Sequence, residues 1–140
     1  MEVSGWLDGH ATLPDLGFVS GTLIINLFEL SFINSLGIRD WVNWIKTVRA
    51  EKGITLIRCS PPFVRQISIL QNFIPEGVTV ESICVPYFCD QCEREERQLI
   101  NIGTGIETLP AEIPCVICKG EMSIDVVKNT YFKFWEKKAG

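Results

Sequence analysis

The chain has 140 residues, 46% of them apolar and 21% charged, with a formal charge of −4. That apolar content supplies a real core and excludes a disordered chain, and the length fits one domain, or a domain of ~90 residues joined to a small metal-stapled module. The acidic balance works against sequence-independent binding to a phosphate backbone.

In chain order, residues 2–7 read as a short strand with Gly5 inside it, and residues 10–17 as a loop holding Pro14 and Asp15. His10, the single histidine, reads as a loop residue. Residues 22–30 are nearly continuous apolar and predict a strand buried on both faces. Asn26 and Glu29 interrupt the run, which falls short of the ~20 apolar residues a membrane span needs. Asn34 and Ser35 offer an N-cap, and Ser35 reads as a cap in preference to a phosphoacceptor. Ile38, Trp41, Val42, Ile45 and Val48 then fall on one face of a helix over residues 36–50, stopped by Gly53. Trp44 lies at the edge of that stripe and is a candidate partner contact.

The pattern recurs. Residues 54–58 predict a strand, Ser60 and Pro61 a helix start, and Phe63, Ile67 and Leu70 a helix face running to Gln71. Gly77 breaks the chain before a strand over residues 78–85. Cys59 and Cys84 read as buried small hydrophobes. Strands alternating with helices predict an α/β fold, a mixed sheet with helices packed on one face.

The last third carries the chemistry. Cys89 and Cys92 form one C-x-x-C pair, and Cys115 and Cys118 form a second, with 22 residues between them. Two intervening residues let one tight turn aim both sulfurs at a single ion. Four thiolates then close a tetrahedral zinc shell with no position for water, a structural site. Competing readings of the pairs are disulfides, a redox motif or an iron–sulfur cluster. Gly120 is expected to supply the positive φ after the second pair. Residues 93–97 read as a solvated turn, residues 99–102 and 106–109 as two strands, and residues 103–105 as the turn joining them. The domain boundaries expected are 1–87 for the α/β part, 88–128 for a zinc ribbon and 129–140 for a short aromatic helix or tail containing Tyr131, Phe132, Phe134 and Trp135. The first residues lack the basic and apolar regions of a signal peptide. Together with paired cysteines, that predicts reduced thiols and a cytoplasmic setting.

Residues 3–8 and 23–38 carry a likeness. They resemble the first strand, the central strand and the switch loop of the STAS domain (sulfate transporter and anti-sigma factor antagonist), and the likeness continues from Gly53 to about residue 87. The Cys-x-x-Cys-x-Gly segment resembles the zinc-ribbon extension of some bacterial members. The family's loop motif is Asp-Ser-Ser-Gly, with its second serine phosphorylated by a partner kinase. Here Asn34 stands for the aspartate, Ser35 and Gly37 are kept, and Leu36 replaces the phosphoacceptor. The resemblance implies a partner surface at Asn34, Ser35, Leu36, Gly37 and Arg39. It also implies a docking partner such as an anti-sigma or kinase-like regulator, and it departs from the family in the usual switch, since a phosphate there would place about two negative charges on the docking face.

No Ser/His/Asp set or paired carboxylates emerge, and a closed zinc shell activates no water, so the expectation is a non-enzymatic interaction module. The alternative is a ribbon-led nucleic-acid binder using Arg94, Arg97, Lys119 and Lys128, which the charge balance disfavours.

Overall fold

The structure is a computed structural model, and it describes residues 1–10, 12–70, 73–102, 109–126 and 131. Within these residues the chain is mixed α/β, built on parallel strands that run into an antiparallel sheet.

Strand β1 (Gly5–Leu7) is followed by β2 (Phe18–Val19), β3 (Leu23–Asn26) and β4 (Leu30–Ile33). Helix α1 (Ser35–Thr47), β5 (Arg49–Ala50), β6 (Ile54–Ile57), α2 (Pro61–Ile69) and β7 (Val78–Val80) come next. Then follow β8 (Ser82–Cys89), β9 (Arg94–Asn101), β10 (Glu112–Pro114) and β11 (Glu121–Ile124). β3, β6 and β7 form a parallel sheet in that order, β1 pairs parallel to β4, and β2 pairs parallel to β5. β10, β11, β8 and β9 form the antiparallel sheet. Two bridges connect these units: Glu2 with Asn26, and Cys59 with Ile83.

The apolar run over residues 22–30 is two strands with a turn between them. Asn26 Oδ1 accepts the Phe28 amide at 3.0 Å, and this side-chain turn competes with continued pairing. Nor is β3 buried on both faces. Leu23 and Ile25 are buried while Ile24 is exposed. The strand thus alternates buried and exposed positions.

Helix α1 ends earlier than its apolar stripe suggests. Val48 is already extended, and Arg49 and Ala50 leave to pair with β2. Gly53, with φ 91°, serves instead at the turn into β6. The inward face of α1 carries Trp41, whose ring meets Phe63 of α2 edge-on at 5.0 Å, and whose indole N–H donates to the Phe73 carbonyl. α1 and α2 therefore pack on each other, and both also touch β4. Trp44 is buried too, and its N–H donates to the Pro14 carbonyl at 2.7 Å. A buried indole needs such an acceptor, which moves Trp44 from a partner contact to the core.

The segment 94–97, expected to be a solvated turn, is strand: β9 pairs along all of β8, from Ser82–Asn101 to Cys89–Arg94. β8 itself runs from the Cys59 bridge to Cys89, passing across residues 87 and 88. Its residues share one buried cluster with Trp41, Phe63, Cys115 and Met122. Tyr131 is anchored into the body: its hydroxyl donates to the Cys84 carbonyl at 2.6 Å, and its own carbonyl accepts from Ser68 Oγ. Residues 103–108, 127–130 and 132–140, with the expected hairpin turn, Lys128, Phe132, Phe134 and Trp135, lie outside the described residues.

Candidate metal centre

Cys89 ends β8, and Cys92 follows on the turn into β9. Cys115 follows β10, and Cys118 precedes β11. Because β8 and β11 are paired, with Cys89 opposite Met122, the two turns meet at one end of the antiparallel sheet. The four sulfur atoms lie within 4.8 Å of one another, and among the described residues they are the group that could hold a metal ion. The nearest approaches join the two pairs: Cys89 Sγ to Cys118 Sγ at 3.4 Å, and Cys92 Sγ to Cys115 Sγ at 3.6 Å. A tetrahedral shell with metal–sulfur bonds of ~2.3 Å needs sulfurs ~3.8 Å apart, so the quartet is close to ligand geometry.

The two turns are built alike. Backbone amides of Gln91 and Cys92 point at the Cys89 sulfur, and those of Ile117 and Cys118 at the Cys115 sulfur. The second sulfur of each pair takes an amide two residues on, Arg94 for Cys92 and Gly120 for Cys118. Each turn closes through a residue at positive φ, Glu93 at 55° and Lys119 at 62°. Lys119, and not Gly120, therefore supplies the left-handed residue. Gly120 is small for another reason. A Cβ there would lie 2.7 Å from Gln91 Oε1 and 3.3 Å from Cys118 Sγ, so a larger residue would have to push the Gln91 side chain aside and crowd the sulfur.

The amides have an electrostatic effect. Those of Cys92 and Gln91 hold the Cys89 thiol below its ordinary range, and those of Cys118 and Ile117 pull Cys115 down to about 6. The Cys89 sulfur, together with desolvation, pushes Cys92 up to about 12. Cys118 is lowered by the Gly120 amide, but neighbouring sulfurs and desolvation outweigh that and leave it raised. Four sulfurs this close cannot all ionise against one another. A cation removes the conflict by neutralising them together. The donor set, its spacing and its amide cage all fit a bound metal ion, and zinc is compatible with them.

The other predicted site residues lie around the start of α1. Asn34 is the true N-cap: its Oδ1 accepts the Gly37 amide at 3.0 Å, which places Ser35 inside the first turn. Gly37 is buried under β1, where a Cβ would land on the Leu7 carbonyl. Asn34 and Gly37 thus seat the helix. Ser35, Leu36 and Arg39 face outward, with Leu36 45% exposed. Cys59 and Cys84 are buried, as expected. Arg97 donates to the Phe28 carbonyl at 2.9 Å, and Arg94 Nη1 is buried without a hydrogen-bond partner among the described residues.

No helix of the described residues is long and apolar enough to cross a membrane. Comparisons of the chain with protein-family models, with curated proteins and with solved structures returned no match.

Proposed function

We propose that this chain is a non-catalytic protein-interaction module of STAS-like type, whose four cysteines hold a structural zinc ion and whose docking face is the start of α1. The partner is an anti-sigma or kinase-like regulatory protein in the cytoplasm, bound through Ser35, Leu36 and Arg39. The observation that carries this reading is how the α1 start is held: the Asn34 cap and the close fit of Gly37 on Leu7 fix it, while Leu36 and Arg39 remain outside. A rigid turn presenting an apolar side chain beside a cation suits recognition, because little freedom is lost on docking. Leu36 in place of the family's phosphoacceptor makes the face permanently competent to dock. A sulfur shell closed on the metal supports a building role for the ion over a reactive one.

The test is affinity purification from the native cell with three baits: the natural chain, Leu36→Asp and Arg39→Glu. A regulatory protein held by the first and lost with both variants supports the reading. A set of partners indifferent to positions 36 and 39 removes it.

A further inference from the structure

A second site lies away from both the α1 start and the cysteines, where the strands β3 and β6 end. Phe28 follows β3 and Arg58 follows β6, so both stand at the carboxyl ends of adjacent parallel strands. Ligands of open α/β sheets commonly gather at such ends. The Arg58 guanidinium sits over the Phe28 ring, 4.5 Å from its centroid, and that of Arg97 lies 5.5 Å from the same centroid. Two cations thus share one aromatic ring in a protein that is acidic overall.

Their charges are poorly balanced. Arg97 has one carboxylate, Glu95, 3.8 Å away, and one backbone acceptor, the Phe28 carbonyl. Among the described residues, no hydrogen bond or ion pair engages the Arg58 guanidinium, and Arg58 is exposed. Its backbone is committed nonetheless. Arg58 adopts φ 52°, a left-handed conformation unusual for a side chain of this size, and its amide is held by Ser82 Oγ at 2.8 Å. A strained residue fixed by a buried serine, with its cation stacked and unpaired, is the kind of outlier found at binding sites. Both guanidiniums also bear on Cys84: burial raises its thiol, and Arg97 and Arg58 pull against that rise.

We propose that Arg58 and Arg97, stacked on Phe28, form an oxyanion site that takes the phosphate group of a phosphorylated ligand. A phosphate monoester matches two cations better than a carboxylate does, since it carries close to two charges and three acceptor oxygens. Arg58 offers all five of its donors. Arg97 keeps those not given to Phe28 and Glu95. The site is independent of the docking face on α1.

The experiment is an amide NMR titration of the full, metal-loaded chain with inorganic phosphate, at constant ionic strength set with chloride. Saturable shifts at Arg58, Cys59 and Arg97 are expected. Arg58→Gln should weaken binding by about tenfold or more, as loss of a charge-assisted pair does. Arg97→Lys keeps the charge but loses the guanidinium's fork, and should weaken binding less than Arg58→Gln does; Lys52→Gln, on the exposed surface, should change nothing. A sugar phosphate and a phosphoserine peptide, run as parallel arms, tell a small metabolite from a modified protein as the source. Shifts that chloride reproduces, or equal binding by Arg58→Gln, would overturn the proposal.

Discussion

Substituting Gly37 by alanine tests how the α1 start is seated. In an open helix the change is favourable by about 1 kcal/mol, because alanine is the better helix former. Here the new methyl would fall on the Leu7 carbonyl. Backbone cannot swing away as a flexible side chain can, so α1 must lift from β1. Overpacking of this kind costs about 1–3 kcal/mol, and the upper end applies to a backbone clash. Lifting also strains the Asn34 amide bond to Leu7 O, 3.1 Å long, and the Asn34 cap, each worth about 1 kcal/mol. With both bonds lost and the helix gain subtracted, a net loss of about 4 kcal/mol is expected, a large share of the ~5–15 kcal/mol that holds a domain. Urea unfolding followed by circular dichroism measures it directly, and the melting temperature should drop by about 13 °C. A variant as stable as the natural chain, or more so, would show that helix propensity governs position 37 and that the approach to Leu7 is not tight. Leu36→Ala, one residue earlier and on the surface, should cost under about 1 kcal/mol and serves as the comparison.

Three further outcomes follow from the site and the core. Purified protein should carry one metal ion per chain by elemental analysis, zinc on the reading above, and Cys92→Ser should lower that content. Removing the ion with a chelator should lower the unfolding midpoint in a single transition, because β8 passes unbroken from the parallel sheet to Cys89; a separate melt of residues beyond 88 would count against a shared core. Tyr131→Phe removes a buried hydroxyl bond to Cys84 O and should cost about 1 kcal/mol near neutral pH. The same substitution should flatten the loss of stability in alkali. Burial raises the Tyr131 hydroxyl above its usual value of 10.0, so the unfolded chain sheds that proton first. Stability is therefore complete below about pH 10 and falls as pH climbs above it. Denaturant melts from pH 8 to 11 decide the point, and an unchanged slope in the variant would refute it.

Much of the architecture could be read from residue spacing. The period of Trp41, Ile45 and Val48 marks α1, and Ser60-Pro61 marks the start of α2, because helix periodicity and proline geometry are local rules. The metal quartet was legible for the same reason: each C-x-x-C pair is one turn, and its chemistry follows from two sulfurs at short range. Where local and long-range demands compete, spacing misleads. The break inside the run 22–30 came from an Asn26 side chain capturing a backbone amide. The early end of α1 came from Arg49 and Ala50 finding β2, a pairing about thirty residues distant in sequence. Trp44 looked peripheral because its acceptor, Pro14 O, lies thirty residues earlier.

What the sequence determined by itself is the set of parts: two helices, apolar strands, and four thiols in two turns. Tertiary structure alone decided how they share space. It laid β9 along the whole of β8, closed the two cysteine turns on each other, placed Gly37 against Leu7 and Gly120 against Gln91, and brought Arg58 and Arg97 to one phenyl ring. Apart from the β8–β9 pairing, these contacts join residues roughly 20 to 70 positions apart, and only packing of the finished sheets, which no local period encodes, brings them within a few ångströms.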